Sequence, residues 1–168
     1  RLQKGQAQIQ RMTDVVDRSP VVVIEWRDAP GWPMSYISQS VDQWGYQPAD
    51  LLHGQRVYAD LIHPDDRAHA AAQFRAAALG RGSQYQVEFR IRHKDGHYLP
   101  LLSRGHILRD DKGHAVRLSG TNTDLSETRR VERERRATQA NYELLFNSSL
   151  DGMLQTRPGG AVLSANPA

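Results

Sequence analysis

Tyr85, Val87, Phe89 and Ile91 alternate with Gln84, Gln86, Glu88, Arg90 and Arg92, the cleanest two-residue period in the chain. In an extended strand that period turns one face to a core and the other to water. Lys94-Asp95-Gly96 follows as a hairpin turn. Residues 98–108 and 114–125 supply two further strands, joined at Asp110-Asp111-Lys112-Gly113. Upstream, the β-branched run 21–26 predicts a short buried strand. A turn at 28–31 and a returning strand over 32–38 follow, with Met34, Tyr36 and Ser38 on one face. Between the second and third strands the pattern is mixed and broken by Gly45, Pro48 and Gly54, so short helices are expected over 41–44 and 48–52. A longer helix is predicted over 64–79. Pro64 suits its first position, Asp65 and Asp66 are fully explained by its macrodipole, and Gly80 suits a left-handed cap.

The two ends of the pattern are thinner. Leu2, Ile9 and Val16 recur every seven residues over 1–18, a narrow stripe fitted to a partner helix rather than to a core, and Ser19-Pro20 ends it. The last strand empties through 120–126 into a charged helix over 126–146. There Arg129-Arg130-Val131-Glu132-Arg133-Glu134-Arg135-Arg136 alternates in sign. Alternation of this kind describes a solvated face with i,i+4 pairs rather than a phosphate-binding stripe. Despite the net charge of +3, no nucleic-acid partner is expected.

Composition adds exclusions. With 168 residues, 39% hydrophobic and 24% charged, the chain can build one soluble core and part of another. No apolar run approaches the roughly 20 residues of a membrane span. The chain starts at Arg1 and reads as a fragment set in the cytoplasm, with any membrane anchor lying outside it. The absence of cysteine removes disulfides, thiolate metal sites, iron–sulfur clusters and cysteinyl adducts.

The order of two strands, short helices, one longer helix, three strands and an exit helix resembles the PAS domain. Tyr36-Ile37-Ser38, Gly45-Tyr46, Ile62-His63-Pro64-Asp65-Asp66-Arg67, Phe89-Arg90, Lys94-Asp95-Gly96 and Gly120-Thr121-Asn122-Thr123-Asp124-Leu125-Ser126-Glu127 carry the resemblance across about residues 19–127. Asp124-Leu125-Ser126 resembles the family's exit motif. Four residues after Gly96, where relatives with this hairpin usually place Trp, this chain departs from the family with Pro100. Pro cannot donate to a ladder, so local or edge pairing is expected at that point. The resemblance implies an α+β fold: a five-stranded antiparallel sheet with the helices on one face, flanked by N- and C-terminal signalling helices. Val16, Ser19, Val23 and Ile24 recur about 130 residues later as Phe146, Ser149, Met153 and Leu154. The organisation expected is therefore a dimerisation helix over 1–18, a PAS domain over 19–125, a connector helix over 126–146, and the start of a second PAS domain over 147–168. That last segment lacks most of its sheet and is expected to form no well-ordered strands of its own.

PAS relatives use the space between sheet and helices for haem, flavins, small acids or nothing. Cysteinyl-flavin chemistry is impossible without Cys. Haem would need His69, which lies about 140° around the helix from Phe74 while Ala70 points inward, so haem is not expected. If a small molecule binds, Trp44, Tyr46, Phe74, Phe89 and Ser103 are the candidate wall, with plain core filling as the competing reading. His93 and His97 flank the hairpin turn. With no third ligand evident, they read as solvated polar residues rather than a metal site. No catalytic constellation is found, so no enzyme activity is expected of this segment. The resemblance implies a sensory relay. A small ligand or a partner shifts the sheet, Asp124 hinges the signal into the connector helix, and a downstream output domain responds (a diguanylate cyclase or phosphodiesterase, or a histidine kinase). Homodimerisation through the N-terminal and connector helices is expected. The alternative is a ligand-free protein-interaction module.

Overall fold

The computed structural model describes residues 16–17, 19–27, 33–53, 58–160 and 162–167, which fall into two compact units divided after Leu125. The expected helix over 1–18 and the turn at 28–31 lie outside the described residues, apart from Val16 and Asp17. In the first unit, strands β1 (Val21–Arg27), β2 (Met34–Ile37), β3 (Gln84–Arg92), β4 (Tyr98–Arg109) and β5 (Ala115–Asp124) form one antiparallel sheet in the order β2-β1-β5-β4-β3. Between β2 and β3 come a 3₁₀ segment (Gln39–Trp44) and helices α1 (Pro48–Leu52), α2 (Tyr58–Leu61) and α3 (Pro64–Leu79). The second unit holds helix α4 (Ser126–Ser148) and the hairpin β6 (Leu154–Thr156) and β7 (Val162–Ala165). No helix among the described residues is long and apolar enough to cross a membrane.

The period-two reading of β3 holds residue by residue, since Tyr85, Val87, Phe89 and Ile91 are buried and Gln84, Gln86, Glu88 and Arg92 exposed. The α3 boundaries match as well. Pro64 occupies the first turn, and His63 caps it by accepting the Asp65 amide on Nδ1 at 3.2 Å. Ala70 is buried and His69 exposed.

Four expectations are corrected. Met34 and Tyr36 do not share a face. β2 pairs Tyr36 with Glu25 but Met34 with Trp26, so Ser35 is an extra bulge residue that reverses the alternation. Met34 packs on the core while Tyr36 is exposed. Gly80 is not left-handed, with φ −67° and ψ −179°. The Arg109 guanidinium donates to the carbonyls of Ala77, Ala78 and Gly82 at 2.9–3.2 Å, satisfying the helix C-terminus without a glycine cap. The macrodipole alone does not account for Asp66. Its carboxylate accepts the Arg90 amide at 2.8 Å and the Arg90 guanidinium at 2.9 and 2.7 Å, fastening α3 to β3. Pro100 is not at an edge, because β4 lies between β5 and β3. Its carbonyl accepts the Leu125 amide at 2.8 Å. The N–H it lacks would face Leu125 in return, where the β4–β5 ladder ends.

The hairpin of the second unit is also a correction, because ordered strands over 154–165 were not expected. Its hydrogen bonds repeat those of β1–β2. Ser38 N donates to Val23 O at 2.9 Å, and Asn166 N donates to Met153 O at 3.1 Å. The Val23 amide is taken by Ser38 Oγ at 2.9 Å, and the Met153 amide by Asn166 Oδ1 at 2.7 Å. Ser19 Oγ accepts the Val21 amide and Ser149 Oγ the Asp151 amide. Both hairpins carry a bulge at the corresponding step. Local hydrogen bonds shape this hairpin, every described residue of β6 and β7 being exposed, and two strands without a covered face are only marginally stable in water.

Candidate functional site

Register sets the inner face of the five-stranded sheet. Across β1, β5, β4 and β3, one row reads Val22, Asn122, Ser103, Val87, and the next reads Ile24, Gly120, Gly105, Tyr85. The two glycines form a trough. A Cβ on Gly120 would stand 2.5 Å from the Tyr85 hydroxyl and 2.7 Å from Gly105 Cα. Tyr85 thus lies over a backbone approach that only glycine permits.

Beside the trough is a small polar node. Asn122 and Ser103 are fully buried, and Asn122 Nδ2 donates to the Tyr58 hydroxyl at 2.6 Å. Asn122 Oδ1, Ser103 Oγ and the Tyr85 hydroxyl are buried without a well-formed hydrogen bond in the protein, although the Ser103 and Tyr85 hydroxyls are near enough to interact with each other. Turning the Asn122 amide over would leave its nitrogen orphaned instead, so one amide atom stays unpaired either way. Burial pushes the pKa of both phenols, Tyr58 and Tyr85, above the usual tyrosine range, which keeps them neutral hydrogen-bonding groups.

An aromatic collar closes over the node. Phe74 of α3 touches Trp26, Tyr85 and Phe89 with ring centroids 5.8, 5.4 and 6.1 Å apart. Tyr58 of α2 meets Trp26 at 5.8 Å and Phe89 at 6.5 Å, edge to face.

Of the five candidate wall residues, the structure brings Phe74, Phe89 and Ser103 to this node. Trp44 and Tyr46 are buried beside the β3–β4 turn. There the Trp44 carbonyl accepts the Lys94 amide at 3.0 Å and the Tyr46 hydroxyl donates to the Arg92 carbonyl at 3.0 Å. The Trp44 indole N–H is buried without a partner as well. Asp124 ends β5, opposite Leu101. Sequence reasoning missed Trp26, Tyr58, Tyr85 and Asn122. Gly105 and Gly120, each inside a strand pattern, were the available signal for Tyr85. On the outer face of the same strands lies an open groove of about 570 Å³, lined by exposed Gln84, Gln86, Arg104 and His106 over the same glycines. It opens away from Ser103.

The comparisons with known proteins agree with this architecture. The family model described as PAS fold matches residues 34–122. The "Methyl sulfide methyltransferase-associated sensor" of Methanosarcina acetivorans is 30% identical over 118 residues, which are 70% of this chain and 12% of that protein's length. Among solved structures, the sensory box histidine kinase/response regulator of Burkholderia thailandensis superposes with a TM-score of 0.58 at 27% identity, over 79% of this chain and 98% of that one. The N-terminal domain of a diguanylate cyclase with PAS/PAC sensor from Marinobacter aquaeolei gives 0.54 at 22% identity, over 65% and 98%.

Proposed function

The chain belongs to the PAS fold family, and on that premise we propose that it is a sensory relay whose inner polar node takes a small, neutral, polar molecule. The observation that carries this is the set of three buried polar atoms on Asn122, Ser103 and Tyr85 that no well-formed hydrogen bond satisfies. Each buried group left unpaired costs about 1–3 kcal/mol, and a ligand offering both donors and acceptors would satisfy all three. The described residues at the node bring hydroxyls, an amide and aromatic rings, so an uncharged molecule fits better than an anion. In this reading the fold performs no chemistry itself. Ligand contact favours one arrangement of β5 over another, and Asp124 passes the difference to α4 and to an output domain elsewhere in the polypeptide. The relatives named above suggest a kinase or cyclase output. The repeated clasp of β6–β7 supports a second domain of the same kind beginning near residue 147. Val131 and Leu145, exposed and two heptads apart on α4, favour a second copy as a helix partner.

Native mass spectrometry of the purified chain tests both points in one measurement. A dimer carrying a small uncharged organic molecule is expected. Ser103→Ala is expected to release that molecule, yet to leave the ligand-free protein within about 1 kcal/mol of wild type, because the hydroxyl makes no well-formed hydrogen bond there. A bare wild-type mass, together with a Ser103→Ala protein that melts lower than that margin allows, would overturn the ligand and favour the interaction module.

A further inference from the structure

The β3–β4 turn gathers the third ligand that the sequence did not reveal. His93, Asp95 and His97 each present one electron-pair atom, and the three lie within 4.8 Å of one another. The hairpin fixes this. His93 N donates to His97 O at 2.8 Å and Gly96 N to His93 O at 3.0 Å, with Gly96 at φ 106°. The two imidazoles stack with centroids 4.6 Å apart and 21° between planes. Both turn Nδ1 toward the same carboxylate oxygen, Asp95 Oδ1, at 2.9 Å from His93 and 2.5 Å from His97.

The contacts of His93 and His97 bring three electron-pair atoms of one tight turn together. The His93 Nδ1 lies 3.2 Å from the Asp95 amide nitrogen and 2.9 Å from Asp95 Oδ1, so without a metal this ring nitrogen carries the proton it shares with the carboxylate or turns its one lone pair into the turn. A divalent ion would displace that proton and take the lone pair in its place, with the Asp95 carboxylate beside it. The Lys94 ammonium does not compete, because it reaches away to Asp50 at 3.9 Å.

We propose that His93, Asp95 and His97 form a binding site for a divalent cation of the zinc class, with water completing the coordination. Two imidazoles and one carboxylate suit borderline first-row ions over calcium or magnesium. Bonds of about 2.0–2.1 Å in a tetrahedron set ligand atoms about 3.3 Å apart, so Asp95 Oδ1, at 2.9 and 2.5 Å from the two Nδ1 atoms, must draw back by under about 1 Å. The stacked rings must meanwhile turn their in-plane lone pairs to a common point. The site touches the core directly, because the Lys94 amide inside the turn is held by the Trp44 carbonyl. A bound ion therefore locks the turn against the segment that carries Trp44 and Tyr46.

The test is Zn²⁺ titration of the whole chain in competition with a chromophoric chelator, beside hydrogen exchange of the Lys94 amide. One equivalent should bind, and Lys94 exchange should slow on binding. His93→Ala, His97→Ala and Asp95→Asn should each weaken affinity at least roughly tenfold. The Asp110–His114 turn is the internal control: it pairs a carboxylate with one imidazole at 3.3 Å but lacks a second, so His114→Ala should change nothing. The surface variants should keep the wild-type circular dichroism. Affinity equal in wild type and His97→Ala, or an equal loss in His114→Ala, would overturn the proposal. Unaltered Lys94 exchange on saturation would overturn the link to the core.

Discussion

Gly120→Ala is expected to destabilise the first unit by about 3 kcal/mol or more, a large share of the roughly 5–15 kcal/mol that holds a domain folded. The new Cβ would overlap the Arg104 carbonyl oxygen, stand 2.7 Å from Gly105 Cα and press on the Tyr85 hydroxyl at 2.5 Å. The first two are backbone atoms of the neighbouring strand, so no rotamer change relieves them. Gly82→Ala is the matched control. A Cβ there would meet nothing nearer than the Gln84 carbonyl oxygen at 3.9 Å, and the change should fall within about 0.5 kcal/mol of wild type. Urea titration followed by circular dichroism distinguishes them. Equal midpoints for the two variants would mean that the trough beneath Tyr85 is not a close contact.

Asp66→Ala should cost about 2 kcal/mol, because three hydrogen bonds to Arg90 vanish together and one of them satisfies the β3 backbone. Acid makes the same cut gradually. The Arg90 side chain, reinforced by burial-opposed backbone and charge contacts, holds the Asp66 pKa down at about 2 from its usual 3.8. A lowered folded-state pKa means that the carboxylate contributes fully above about pH 4 and loses that contribution as pH falls through about 2. Screening limits the amount to about 1 kcal/mol, since the Arg90 side chain is 42% exposed. Stability measured from pH 5 to pH 2 should therefore fall more steeply in wild type than in Asp66→Ala. Parallel curves would show that the pair does not tie α3 to β3.

What could be read from the residues depended on how local the cause was. β3 was legible because each of its faces is uniformly wet or dry, and the start of α3 because Pro64 and its capping His63 act within one turn. Asp66 looked complete as a helix-start residue, because its partner lies 24 residues away on another element. Gly80 was misread for the same reason: Arg109, from β4, satisfies the carbonyls that a left-handed cap would have served. One bulge at Ser35 was enough to reverse the faces of Met34 and Tyr36. The polar node was half visible. Ser103 stood out as a small polar residue within an apolar strand, but Asn122 joined it only through the β4–β5 register, and Tyr58 through a short helix with no clear pattern. At the β3–β4 turn the residues were all in view. What the sequence lacked was the direction of Asp95, which points back between the two histidines.

The repeated clasp has an evolutionary consequence. In the first unit Ser38 Oγ accepts the Val23 amide while Ser40 Oγ donates to the Val21 carbonyl at 2.9 Å, and the two hydroxyls meet at 2.6 Å. Ser40 has spent its proton on Val21, so Ser38 must donate to Ser40. In the second unit a single carboxamide spans the same two points, with Asn166 Oδ1 accepting the Met153 amide and Nδ2 donating to the Asp151 carbonyl at 2.9 Å. Two serines in series are thus the chemical equivalent of one asparagine. Positions 38 and 40 should accordingly drift together between lineages: an asparagine at 38 frees 40 from its hydroxyl, and a serine at 38 obliges 40 to keep one.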